Sequence, residues 1–401
     1  MQSKTKAVYI SESIGSSKNG GVSKSGYDFL LLLLMNYSEV IVISSNKKVS
    51  IDKQFLGIKL GEVKRWYTVK PTLKIGKVNP RNTIIYIIKQ LLSIFKRKTV
   101  NLSECNFQDN EIPIYVNSIS NIKDSISNFE GFRKRVCILR GCPESFQIQT
   151  EHDDNTILNK TVDTLKEYNF IINVSEICGN KWQEILNHEF VNYYLPNSID
   201  ESVIDNIQNS EKTKNPFNNE KFNVVVVGSV QTRKGQDIIV DKLEEIVEFC
   251  PNICIHLIGV ISKRYGGSKI KLEGLEKDPE QEYIKFHGHI DQPLDYVKFA
   301  DLALFTSRAE AFPRAVAEYM ALGKIILTTD VSGIPEMIKH EQTGLIYSSP
   351  DEMVDSLKNI YNNKNEYSIL GDNAKDYYYE IFSKEQQIKR ANFIFNDINT
   401  K

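Results

Sequence analysis

Short apolar runs rich in β-branched residues alternate with helix-patterned stretches along the whole chain. A strand buried on both faces reads as one continuous apolar run, and two parallel neighbours need a helical crossover between them. The alternation therefore predicts α/β architecture built on mostly parallel sheets. Candidate strands in the first half are AVYIS (7–11), EVIVIS (39–44), IPIYVN (112–117), RVCILR (135–140), FIINVS (170–175) and VNYYLP (191–196). A polar stretch over 197–223, rich in Asn, Ser, Lys and Glu, then interrupts the pattern and predicts a domain boundary. The pattern restarts with NVVVVG (223–228), ICIHLIG (253–259), YIKFHG (283–288), DLALFTS (301–307), KIILTT (324–329) and GLIY (344–347). Two doubly wound, Rossmann-like domains facing across a cleft are expected. Ligands of such sheets bind beyond the carboxyl ends of the strands, so the strand-to-helix loops are where chemistry is sought.

The 401 residues leave room for two or three domains. With 41% apolar and 25% charged residues and a formal net charge of −1, nothing global points to nucleic acid. The six cysteines contain no C-x-x-C pair and are expected to be buried free thiols. His287-Gly288-His289, at a strand end, is not expected to hold a metal. The start, MQSKTKAVYISES, shows no signal-peptide pattern. FLLLLLM (29–35) is far shorter than the about 20 apolar residues of a membrane span. These features predict a cytoplasmic protein, at most peripheral on the inner face of the plasma membrane.

Three loops stand out. Gly20-Gly21 follows the first strand and precedes a helix, where glycine lets the backbone approach a ligand and offers amides to an anion, or simply makes a tight turn. The dinucleotide fingerprint G-x-G-x-x-G is absent there and after Val227, which disfavours a dehydrogenase. In VGSVQTRKGQD (227–237), Arg233 and Lys234 project at the sheet's carboxyl edge, suited to a diphosphate or simply solvated on a turn. The third loop opens SRAEAFPRAVAEYMALG (307–323). Pro313 is expected at the first helical position and Gly323 just past the helix end. Glu310 precedes the helix and Glu318 lies inside it. Two carboxylates at different depths can each accept a pair of vicinal hydroxyls, one from a ribose and one from a sugar.

Glu310-x7-Glu318, Lys234-Gly235 after VVVVGS, Gly20-Gly21, LPNSID (195–200) and VSGIPEMIKHEQTGLIY (331–347) together resemble the glycosyltransferase family 4 pattern. The resemblance covers the C-terminal domain nearly whole and the N-terminal domain thinly. It implies a GT-B fold and a retaining, nucleotide-sugar-dependent transferase, with a UDP-sugar foremost. It divides the chain into an acceptor-side domain (1–198), a donor domain (199–383) and a C-terminal helix (384–401) returning to the first domain. It implies that Glu318 holds ribose, that Glu310 holds the donor sugar, and that the backbone at Ala311, Phe312 and Pro313 lines the donor. Lys234 would neutralise the leaving diphosphate, which Gly21 approaches from the other domain. The sequence departs from the family at two positions. Ser229 stands where an arginine is usual, so Arg233 shares that role. Arg140 stands where a histidine is frequent, in a catalytic position bearing on the sugar's C6 group.

No D-x-D motif is present, so no metal and no cofactor is expected. From Lys64 to Lys98 there are ten basic residues (64, 65, 70, 74, 77, 81, 89, 96, 97, 98) and no acidic one. That excess suits a lipid-linked, glycan or anionic polymer acceptor, or the anionic membrane surface itself. The apolar stripe at 84–95 is expected to pack on the N-terminal sheet. Rival readings are a nucleotide-sugar epimerase or phosphorylase-like enzyme on the same fold, and a sugar-binding protein without turnover.

Overall fold

The computed structural model describes residues 6–11, 14, 21–44, 49–51, 54–55, 58–68, 111–117, 131–147, 156–210, 214–261 and 282–401. The first half carries β1 (Lys6–Ser11), β2 (Glu39–Ser44), β3 (Gln54–Phe55), β4 (Ile58–Lys59), β5 (Glu62–Thr68), β6 (Ile114–Asn117), β7 (Arg135–Leu139), β8 (Phe170–Asn173) and β9 (Val191–Tyr194). The second carries β10 (Phe222–Val227), β11 (Ile253–Ile258), β12 (Ile284–Gly288), β13 (Leu302–Phe305), β14 (Ile326–Thr329) and β15 (Leu345–Tyr347). The sheets run β5-β2-β1-β6-β7-β8-β9 and β12-β11-β10-β13-β14-β15, while β3 and β4 form a separate hairpin. Every pairing within the two large sheets is parallel.

Each sheet reverses its strand order beside its first strand, between β1 and β6 and between β10 and β13. Ligand crevices of doubly wound sheets open at such switch points. The loops after β10 and β13, which carry Arg233, Lys234 and Glu310, therefore flank the switch of the second sheet. The run FLLLLLM lies in the helix Gly21–Asn36, where Leu30 to Leu34 are all buried. Five consecutive buried leucines put this part of the helix in the core on every side. The last helix, Lys384–Thr400, buries Ala391, Ile394, Phe395 and Ile398 in the core of the N-terminal sheet, with Phe395 edge-on to Tyr115 at 5.3 Å. Among the described residues no helix is long and apolar enough to cross a membrane.

Three expectations need correction. β5 and the β3–β4 hairpin were not anticipated: β5 is a charged edge strand whose Lys64 lies 3.8 Å from Glu39 and 3.3 Å from Glu62, so its alternation is masked by charge. The first residues of the basic stretch thus belong to the sheet, and 69–98, with the apolar stripe at 84–95, lie outside the described residues. Cys142 and Cys178, expected as separate thiols, lie side by side in the core with Cα–Cα 4.8 Å across 36 residues of sequence, a separation that a disulfide can span. Spacing alone cannot announce a pairing that the packing of β7 and β8 brings about. Finally, the helix carrying Glu318 begins at Arg314, with Pro313 just outside it in extended backbone (φ −71, ψ 121).

Candidate active site

The loop after β10 tightens into a 3-10 turn, Thr232–Lys234, ended by Gly235 in the left-handed region (φ 69). A side chain at Gly235 would place its Cβ 2.0 Å from the Thr306 carbonyl, so only glycine lets this loop lie against the end of β13. Hydrogen bonds then join the two loops. The Thr306 hydroxyl donates to the Lys234 carbonyl at 2.8 Å, and the Arg308 amide donates to the Arg233 carbonyl at 2.8 Å. The Arg308 guanidinium spans Asp237 with two bonds of 2.9 and 2.8 Å and donates to the Thr232 carbonyl at 2.6 Å.

This arrangement brings three of the expected residues together. Glu310 is ion-paired with Lys234 at 2.6 Å and with the Arg233 guanidinium, which also donates to the Ala309 carbonyl at 2.8 Å. Burial works against the Glu310 charge, but Lys234 and Arg233 outweigh it and hold its carboxyl below the usual range. Two like cations share one carboxylate, leaving positive charge at the mouth of the crevice. The amides of Ala311 and Phe312 find no acceptor among the described residues, while the Phe312 ring packs edge-on to Phe382 at 5.2 Å. Ser229 does not join the cluster. Its hydroxyl accepts from Gln231 at 3.1 Å and its carbonyl from Gln236 at 3.2 Å.

Glu318 sits in the helix Arg314–Ala321, anchored where the Tyr319 hydroxyl accepts the Val227 amide at 2.8 Å. Burial pushes the Glu318 carboxyl above its usual range, and Arg314 and Lys24 pull the other way. No described residue donates a hydrogen bond to it. Lys24, whose charge acts on Glu318, belongs to the helix Gly21–Asn36, of which Gly21 is the first residue. Gly20 lies outside the described residues.

Arg140 is placed elsewhere. Its three guanidinium nitrogens donate to Asn117 at 2.7 Å, Asn197 at 2.6 Å and the Ser25 carbonyl at 3.1 Å, and burial lowers its pKa. It has no bond to Arg233, Lys234 or Glu310 among the described residues.

Sequence reasoning missed Arg308, Asp237 and Arg314. Arg314 donates to Asp28 of the first domain at 3.2 Å and to the Ser198 carbonyl at 3.1 Å. A cation at the first position of a helix opposes the helix dipole, a signal that a carboxylate elsewhere holds it.

Residues 207–377 match the family of glycosyl transferases group 1. The match takes in Arg233, Lys234, Glu310 and Glu318. Among curated relatives, the phosphatidylinositol N-acetylglucosaminyltransferase gpi3 subunit of Schizosaccharomyces pombe is 23% identical over 241 residues, 59% of this chain and 50% of its own length. The capsular polysaccharide biosynthesis glycosyltransferase CapH of Staphylococcus aureus is 25% identical over 198 residues, 48% of this chain and 54% of its own. The chain thus spans about half the length of these relatives. Anabaena HepE, crystallised with UDP, superposes with a TM-score of 0.63 at 17% identity, covering 99% of this chain and 100% of HepE. The fold is GT-B: two Rossmann-like domains. Together with the group 1 match, it supports a GT-B glycosyltransferase.

Proposed function

We propose that the protein is a retaining glycosyltransferase of the family 4 type, moving a sugar from a nucleoside diphosphate sugar, a UDP-sugar foremost, to a glycan, lipid-linked or polymer acceptor. The observation that carries this reading is the Arg233–Glu310–Lys234 cluster at the switch point, with the unbonded Glu318 carboxylate behind it. Glu318 accepts the ribose hydroxyls, and Glu310 orients the sugar beside the amides of Ala311 and Phe312. Lys234 and Arg233 stabilise the charge that grows on the leaving diphosphate, preorganised before any substrate arrives. Because two fixed cations supply that charge, the reading calls for no metal.

The acceptor oxygen bonds to the sugar's anomeric carbon as the bond from that carbon to the diphosphate oxygen breaks. The acceptor's proton passes to the departing diphosphate on the same face, which retains configuration without a covalent sugar–enzyme link. Arg140, with its nitrogens engaged, shapes the floor under the sugar. The UDP bound to HepE favours UDP as the carrier. The names of gpi3 and CapH, with the basic residues between 64 and 98, favour a lipid-linked or polymeric acceptor at the cytoplasmic membrane face.

A thermal-shift panel of UDP, GDP, ADP and their sugars tests the reading. A ligand at 100 times its Kd stabilises by about 2.7 kcal/mol, so a UDP-dependent rise in Tm is expected. No shift with any nucleotide sugar at millimolar concentration overturns it.

A further inference from the structure

The short helix Ile334–Met337 after β14 reaches into the other domain. Its Glu336 carboxylate accepts three hydrogen bonds at the start of the helix Glu176–Leu186: from the Ser175 hydroxyl at 2.6 Å, the Glu176 amide at 3.0 Å and the Ile177 amide at 2.5 Å. The Tyr194 phenol faces the same carboxylate, and burial followed by the Glu336 charge pushes its pKa well above the usual range. The first amides of a helix have no partner within it and carry the positive end of its dipole, so a carboxylate there is favourable. Ser175 already caps its own helix by accepting the Cys178 amide at 3.1 Å. The amides that Ser175 does not serve are served from the opposite domain.

The same segment grips the loop that carries Glu310. The Gly333 amide donates to the Glu310 carbonyl at 3.0 Å. A Cβ on Gly333 would stand 1.8 Å from the Ala311 carbonyl oxygen and 2.8 Å from the Ser175 hydroxyl. The Glu310 loop, Gly333 and the first-domain helix start are therefore in direct contact, and the Tyr377 hydroxyl donates to the Glu336 carbonyl at 3.3 Å from behind.

We propose that Glu336 is a positioning residue: by bonding to the start of the helix Glu176–Leu186 it sets the opening between the domains and holds the Glu310 loop where the donor sugar is bound. This rests on the donor-site reading above. The bonds lie beside an apolar contact in which Cys142, Val174 and Cys178 of the first domain share one buried cluster with Ala311, Ile334 and Met337 of the second, so they fix the direction and spacing of a domain contact that the apolar groups hold together.

Glu336→Gln, which keeps the shape and removes the charge, and Ser175→Ala, which keeps the carboxylate, test this by hydrogen exchange over 175–179 alongside donor kinetics. Faster exchange at Glu176 and Ile177 in Glu336→Gln, with the KM for the donor raised about fivefold or more and a smaller change in Ser175→Ala, is the expected result. Unchanged exchange overturns the bond, and faster exchange with an unchanged KM overturns the positioning role. Should the wild type bind no nucleotide sugar, the donor reading fails on its own. Small-angle scattering of the free proteins then decides, a more open Glu336→Gln supporting the proposal and an identical profile overturning it.

Discussion

Glu318→Gln is expected to strengthen the fold while weakening the donor. The wild-type carboxylate has no hydrogen-bonded partner among the described residues, and burial raises its pKa against the opposing pull of Arg314 and Lys24. An acid whose folded pKa exceeds its unfolded value, about 4.3, binds its proton more tightly when folded. The stability this confers is complete below the unfolded value and is lost as pH rises through the folded one. Glutamine copies the protonated form at every pH, so the variant should melt above the wild type at pH 8, with the gap closing towards pH 4. In the donor complex the balance reverses. The carboxylate would accept two ribose hydroxyls, and glutamine keeps one acceptor oxygen without the charge. A hydrogen bond to a charged group contributes about 1.5–3 kcal/mol, so donor affinity should fall about ten- to a hundredfold. Scanning calorimetry of the free proteins from pH 4 to 8 and titration calorimetry with UDP and UDP-sugars measure both halves. A variant that melts below the wild type at pH 8, or binds UDP equally well, refutes the reasoning.

Glu310→Gln should lower turnover at least about tenfold while UDP binds as tightly as before or more tightly, because Arg233 and Lys234 lose their opposing charge; a parallel loss of both parameters places Glu310 outside the sugar subsite. Transfer should survive EDTA, measured as product formed with and without the chelator, and activity abolished by EDTA and restored by magnesium or manganese counts against the two-cation reading. Arg308→Lys gives up the two-pronged contact with Asp237 and should cost about five- to tenfold in kcat/KM, with kinetics indistinguishable from wild type as the contrary outcome. Sedimentation with anionic vesicles should exceed that with neutral ones at low salt and vanish at high salt; equal failure with both removes the membrane half of the acceptor proposal.

The two sheets were legible because parallel strands are buried on both faces. NVVVVG and DLALFTS read as strands without reference to any partner, and β10 and β13 fall within a residue or two of them. β5 escaped because an edge strand keeps one side in solvent, and its Lys64 and Arg65 read as part of a basic tract. Arg233, Lys234 and Glu310 were singled out by their places after strands and by family resemblance, since strand-to-helix loops at a switch point face a common crevice.

What no local pattern carried was which distant groups meet. Arg308 and Asp237, Arg314 and Asp28, Glu336 and Ser175, and Cys142 and Cys178 are brought side by side across stretches of chain that differ for every pair. Local periodicity reports only whether a residue faces a core, so the sequence by itself determined the strands buried on both faces, their order along the chain and the loops that bear charge, and left out β3, β4 and the edge strand β5. The winding of each sheet, and the packing of one domain on the other, decided that Arg140 bonds to Asn117 and Asn197 and that Glu336 bonds to a helix of the opposite domain. Those partners are chosen by distance in space, which the one-dimensional order of residues does not contain.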